Sequence, residues 1–287
     1  MYRLFSNKRQ RWRKVPKAEL GKAELYLRAR EKLCVSASAR FLKTAESRGH
    51  IWYLGEANGE ISALLLHSRN SLFPVFDKNP RIPGPLFLNR FLGKVQIHSV
   101  QGLKEDVELL ELLMEAQGYF AAERIDYALM SLDNMAEQAV YKIGPEGLIL
   151  REPEAKDEEE LFALQSAYEQ EEVLPKNAVF NAASCRYNLQ RILSSEQVLV
   201  AEMNGRLVGK MNTSAHSFTR CQIGGVYVRP DCRGRGIAAK MTAVFAQKLL
   251  LMGKGISLFV KKRNEAALKV YKKSGFAVLA DYRISYY

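Results

Sequence analysis

Cysteine is scarce in this chain: Cys34, Cys185, Cys221 and Cys232 are scattered through 287 residues with no C-x-x-C pair. That spacing excludes a disulfide framework and a cysteine zinc knuckle. The four histidines (His50, His67, His98, His216) lack metal-ligand spacing, and no H-E-x-x-H, serine elbow or Cys/His nucleophile pattern occurs, so no metal is expected. No run approaches the ~18 consecutive apolar residues of a membrane span, and no membrane partner is expected. The opening residues, MYRLFSNKRQRWRK, hold charge but no apolar stretch of signal-peptide length. The expected location is the reducing cytoplasm. With 47% apolar and 26% charged residues, global disorder is excluded and a substantial core is available. The length favours two domains.

The net charge is +12, and it is unevenly placed. Residues 1–14 carry six basic side chains and no acid, and residues 15–134 balance. Residues 135–173 hold three basic against eleven acidic side chains, whereas residues 174–287 hold nineteen against five. A field of that size favours an anionic ligand. Nucleic acid, a membrane surface and a phosphorylated cofactor all satisfy it.

Hydrophobic periodicity separates the chain into two mixed units. In residues 15–134, helical spacing runs from Lys17 to about Leu42. The apolar runs 51–54 and 61–66 flank a turn and read as a hairpin, with further strands at Phe73–Phe76 and Val95–Val100. An amphipathic helix over Lys104–Ala116 and a strand over Ile125–Leu132 follow. Gly144-Pro145-Glu146-Gly147 punctuates the chain and closes a linker over 135–146.

Residues 147–287 read more clearly. A short strand at 148–150 precedes helices over Asp157–Val173 and Asn177–Leu193. The strands Val198–Met203 and Leu207–Ala215 flank Asn204-Gly205, a tight-hairpin signature. A strand over Ile223–Val228, a helix over Gly236–Met252, a strand over Ile256–Val260, a helix over Asn264–Lys273 and one or two final strands complete the unit. The expected fold class is α+β, with a mixed, mostly antiparallel sheet flanked by helices in each unit. The two units are read as diverged copies.

The chemistry concentrates between Val226 and Ala238. A strand ends, Pro230 turns the chain, and Gly234 and Gly236 open a long helix with Arg233 and Arg235 beside them. The first N–H groups of a helix have no internal partner and sit in a positive field, so such a loop suits phosphate. Gly234-Arg235-Gly236-Ile237-Ala238-Ala239 formally fits a dinucleotide fingerprint. That fold wants an acid at the end of the next strand, about 20 residues on. Here Lys261-Lys262-Arg263 stands there, and too little chain follows for a doubly wound sheet.

Arg233-Gly234-Arg235-Gly236-Ile237-Ala238 also fits the R/Q-x-x-G-x-G/A signature. Asn264-Glu265-Ala266-Ala267-Leu268-Lys269-Val270-Tyr271-Lys272-Lys273-Ser274-Gly275-Phe276 fits N-x-x-A-x-x-x-Y-x-x-x-G-F. In this order and spacing, residues 147–287 resemble the GNAT acyltransferase superfamily. Residues 15–134 resemble the degenerate N-terminal half of tandem GNAT proteins.

The resemblance implies that the chain moves an acetyl group from acetyl-CoA, as cosubstrate, to a primary amine by direct attack on the thioester. It assigns the cofactor to Val226, Tyr227, Val228, Arg233, Gly234, Arg235, Gly236, Ile237, Ala238, Asn264 and Tyr271. The Val226 amide would stabilise the thioester oxygen and Tyr271 would return a proton to the departing thiolate. Core packing is the competing reading of Tyr271, helix capping that of Asn264, and plain surface charge that of Arg235.

One departure concerns the base. The segment Met211–Gly225 has no carboxylate and offers only His216 near neutral pH. Glu169, Glu171 and Glu172, which end an acidic helix, are with His216 the candidate acceptor-binding groups, against the alternative of a solvated helix face.

In the first unit, Glu105 and Asp106 oppose an anion at the helix from Lys104, so one acetyl-CoA per chain is expected. That unit would shape the acceptor site, pack against its neighbour or form a homodimer. The alternative function is an inactive CoA-binding sensor or scaffold. No nucleic-acid motif accompanies the basic clusters, so a solvated surface is preferred to a nucleic-acid partner.

Overall fold

The structure, a computed structural model, describes residues 12–43, 50–57, 60–134, 144–176 and 178–287. Most of the basic segment 1–14 and of the expected linker 135–146 lies outside the described residues. In chain order the elements are β1 (Arg13–Lys14), α1 (Leu20–Arg28), α2 (Val35–Leu42), β2 (His50–Ala57), β3 (Glu60–Ser68), β4 (Ser71–Phe76), α3 (Pro85–Leu92), β5 (Ser99–Leu103), α4 (Lys104–Glu115) and β6 (Glu123–Leu132). They continue with β7 (Ile149–Arg151), α5 (Glu158–Tyr168), α6 (Ala182–Ser195), β8 (Val198–Met203), β9 (Arg206–His216), β10 (Arg220–Val228), α7 (Ile237–Leu251), β11 (Gly255–Lys261), α8 (Glu265–Lys273) and β12 (Ala277–Tyr286).

These elements form two compact units. The first runs to Tyr127 and includes Ala280–Tyr287; the second is Ala128–Leu279. The divisions therefore fall inside β6 and β12, rather than at the 135–146 linker and the C-terminus. The end of β12 pairs antiparallel with β5, from Tyr282 opposite Leu103 to Tyr286 opposite Ser99. The last residues thus complete the first unit's sheet.

In that first unit, β1, β2, β3 and β4 are antiparallel neighbours, and β4 then meets β5 in parallel. Leu65, Leu72, Phe76, Val100, Val107 and Leu110 form its core with α3 and α4. Each such side chain, fully withdrawn from water, contributes roughly 1.5–3 kcal/mol. The single helix expected from Lys17 is broken into α1 and α2 by a 3-10 turn at Glu31–Leu33.

The second unit carries β7, β8, β9 and β10 as antiparallel neighbours, with β11 parallel to β10. Asn204 and Gly205 both have positive φ in the β8–β9 turn, the geometry of a two-residue hairpin. One face of the sheet packs Leu161 and Leu164 of α5 and Leu189 of α6 against Val200, Leu207 and Tyr227. The other packs Met241, Phe245 and Leu249 of α7 against Met211, Ile223 and Leu258. Each unit is thus α+β with a mixed, mostly antiparallel sheet.

Candidate active site

The parallel pairing of β10 with β11 stops early. It runs from Arg220 opposite Gly255 to Ile223 opposite Leu258, leaving Gly224–Val228 without a register partner on β11. On its other side, β10 bulges. Gly224 faces Asn212 and Tyr227 faces Lys210, so one residue too many lies on β10 between two pairs. A bulge of this kind turns a peptide out of the ladder. Gly225 makes it possible with φ +60°; a Cβ there would overlap Asn212 Oδ1 and lie 2.9 Å from Lys210 Nζ.

Beyond Val228 the chain makes a short turn at Pro230–Cys232 and enters the exposed Arg233-Gly234-Arg235 segment. Gly234 and Gly236 take φ of +77° and +80°, with Gly236 at the N-cap of α7. L-side chains avoid that region, so the two glycines set the path that brings the first α7 amides to the loop. Ile237 is buried and anchors the helix start; Ala238 is half-buried beside it. Arg233 donates to Val228 O at 2.9 Å and to Glu171 at 2.7 Å.

The acidic end of α5 continues as a π-helical turn, Glu169–Val173. Its three carboxylates have different partners. Glu171 accepts from Tyr227 Oη at 2.6 Å as well as from Arg233. Burial opposes its charge, but those two donors outweigh it and hold its pKa below the usual range. Glu172 pairs with buried Lys261 at 3.1 Å, and Glu169 accepts from Gln165 at 2.8 Å.

Tyr271 is buried on α8, edge-on to Phe276 with ring centroids 6.0 Å apart. Its phenol is pushed well above the ordinary value, mainly by burial and further by Tyr168 and Glu172. Tyr168 and Glu172 belong to the α5 side of the sheet. Asn264 caps α8, its Oδ1 accepting from Ala267 N at 3.0 Å.

His216 stands elsewhere. It lies opposite Cys221 and bonds Thr213 Oγ1 and Glu196 Oε2, each at 3.0 Å. Val226 lies five positions beyond Cys221, about 16 Å at the usual rise. The strand gap, the bulge, the glycine loop and the turn that carries the three glutamates therefore gather at one end of β10, and His216 at the other.

Sequence reasoning missed Lys210 and the bulge. Lys210 is 1% exposed, donating to Gly225 O at 3.1 Å and Asn212 Oδ1 at 3.3 Å, with Nζ 5.0 Å from the centre of the Tyr168 ring. The available signals were the Gly224-Gly225 pair inside a strand, which marks a bulge, and a lysine amid apolar strand residues.

The first unit repeats the strand parting with different residues at the gap. β4 pairs with β5 only at Ser71–Ser99 and Leu72–Val100. Pro74 offers no N–H there, and the Phe76 amide already donates to Asp106 Oδ2 at 3.2 Å. Asp77, held by Arg30, begins the following loop, and α3 is entered through Gly84 in extended geometry. Among the described residues, no cluster suited to a metal occurs and no helix is long and apolar enough to cross a membrane.

Comparison with known proteins agrees with this geometry. The acetyltransferase (GNAT) family model matches residues 158–276. An acetyltransferase of Pectobacterium atrosepticum is 37% identical over 78 residues, which are 26% of this chain and 53% of that protein. The chain thus spans about half the length of that relative. Among solved structures, a GCN5-related N-acetyltransferase from Sphaerobacter thermophilus aligns over 97% of this chain and 95% of its own, with TM-score 0.60 and 20% identity. A tandem GNAT protein from the clavulanic acid biosynthesis pathway covers 96% of this chain and 97% of its own, with TM-score 0.61 and 11% identity. Residues 158–276, the body of the second unit, thus match the acetyltransferase (GNAT) family, and the chain as a whole shares the fold of these solved GNAT structures.

Proposed function

We propose that the chain transfers an acetyl group from acetyl-CoA to a primary amine by direct attack, in the cytoplasm, and that one acetyl-CoA is held by the second unit. The observation that carries this reading is the alignment along β10 of an opened strand edge, a bulged peptide and a helix N-terminus. The pyrophosphate would meet the amides of Gly234–Ala238, with Arg233 and Arg235 as cationic donors. The pantetheine arm would add to the freed edge of Val226–Val228 by main-chain hydrogen bonds, as peptides add to sheet edges. Tyr227 underlies this edge and fixes it through Glu171. Asn264 uses its oxygen as the cap, and its carboxamide nitrogen is the donor that an arm carbonyl requires.

In the transfer, the amine nitrogen adds to the thioester carbon and the negative charge gathers on oxygen. The Val226 amide faces that charge. Collapse expels the thiolate, Tyr271, kept protonated by burial, gives it a proton, and the proton that the amine nitrogen loses on becoming an amide passes through solvent to restore Tyr271. Glu169, Glu171 and Glu172 supply negative potential for a cationic acceptor. Three of their neighbours (Tyr227, Arg233 and Lys261) spend part of that potential, so attraction rather than proton removal is the role they fit.

Free-thiol release from acetyl-CoA over a panel of amines tests the reading. Release with at least one amine is expected, and Tyr271→Phe should lower kcat by about 10²-fold or more with CoA affinity retained. CoA binding without release for any amine would instead favour an inactive CoA-binding protein.

A further inference from the structure

We propose that Lys210 is a positioning residue for acyl transfer, its ammonium fixing and polarising the Gly225–Val226 peptide whose amide receives the thioester oxygen. The proposal rests on the acetyl-CoA reading above and goes beyond it by naming what holds that amide in place.

Lys210 straddles the bulge. Its backbone is the register partner of Tyr227, while its side chain reaches past Val226 to the Gly225 carbonyl. One residue therefore ties both sides of the turned-out peptide. Every atom given to the Nζ is electron-rich: a carbonyl oxygen, a carboxamide oxygen and the face of Tyr168. A buried lysine is rare and costly unless such partners meet it, so the surroundings are those of an ammonium. In a trans peptide the carbonyl and the amide point in opposite directions. A cation on Gly225 O consequently aims the Val226 N–H away from Lys210 and strengthens it as a donor, since linked hydrogen bonds polarise one another.

The same burial makes the device sensitive to pH. Desolvation draws the Lys210 pKa down to about 7, against the opposing pull of Glu169 at the end of α5. Burial also raises the Cys185 thiol and pushes the Tyr227 phenol up to about 12, so both neighbours are neutral where Lys210 titrates. Below neutrality the ammonium polarises the peptide; above it that polarisation fades. A lysine acting as general base would give the opposite trend, with activity gained as the proton leaves.

Isotope-edited infrared spectroscopy of [1-13C]acetyl-CoA bound to the full chain, without any acceptor, reads the strength of the amide–thioester hydrogen bond directly. The thioester carbonyl stretch should shift to lower frequency on binding at about pH 6. That downshift should shrink as pH rises to about 8.5. Lys210→Met should bind acetyl-CoA within about threefold of wild type and show a smaller downshift that does not vary with pH. Lys210→Arg, always charged, should keep the downshift throughout. A wild-type downshift that is constant or grows with pH overturns the proposal without recourse to any variant. So does a Lys210→Met spectrum equal to wild type. Absence of acetyl-CoA binding by the wild-type chain overturns the acetyl-CoA reading itself, and this proposal with it.

Discussion

Glu171 joins three functions in one carboxylate: it holds Tyr227, holds Arg233, and adds negative charge beside the proposed diphosphate loop. A diphosphate must compete with it for Arg233. The Arg233–Glu171 pair is about half exposed, so its own strength is modest, but its loss should be felt by an anionic ligand. Glu171→Gln is expected to tighten CoA binding by about twofold to fivefold, measured by calorimetry at low salt, and the gain should vanish at high salt. If Glu171 instead serves the acceptor alone, CoA affinity will not move and only the acceptor KM will rise.

The elements around β10 show where sequence was informative. The α7 and α8 helices, the Asn204-Gly205 hairpin and the glycine loop were legible because each is written in adjacent residues. The parting of β10 from β11 was not, because a register that stops at Ile223 and Leu258 is decided between strands. For the same reason the role of Lys210 is not legible in sequence, since its burial depends on α5 and α6. Helix α3 was missed since Pro83-Gly84-Pro85 reads as loop, although proline also suits the first helical position. Gly225 binds these elements together. Gly225→Ala should cost about 2 kcal/mol or more in urea unfolding, from positive φ and overlap with Asn212. Wild-type stability in that variant would show that the bulge relaxes freely.

Across the whole molecule a fold is repeated, while the proposed cosubstrate site lies in the second unit alone. In the first unit Asp106 occupies the amide that a cosubstrate arm would need, and burial pushes its pKa up to about 7. Between about pH 4 and 7 the native state therefore keeps a proton that the unfolded chain has released. Stability falls as pH rises through that window. Asp106→Asn still accepts from Phe76 and avoids the buried charge. It should match wild type near pH 4 and exceed it at pH 8 by on the order of 2 kcal/mol in urea unfolding. An equal pH dependence in both proteins would show that the carboxylate is solvated after all. The return of Ala280–Tyr287 to the first unit was equally hidden from sequence, since β5 lies some 180 residues upstream of its partner.

In the proposed function, the amides at the start of α7 hold the diphosphate of coenzyme A. Calorimetric titration of the full chain with CoA, beside Gly236→Val, tests it most directly. The expected result is one site per chain, with affinity reduced at least tenfold when a β-branched residue is forced into the left-handed N-cap. No measurable affinity, two equivalent sites, or a Gly236→Val chain that binds as tightly as wild type would contradict it.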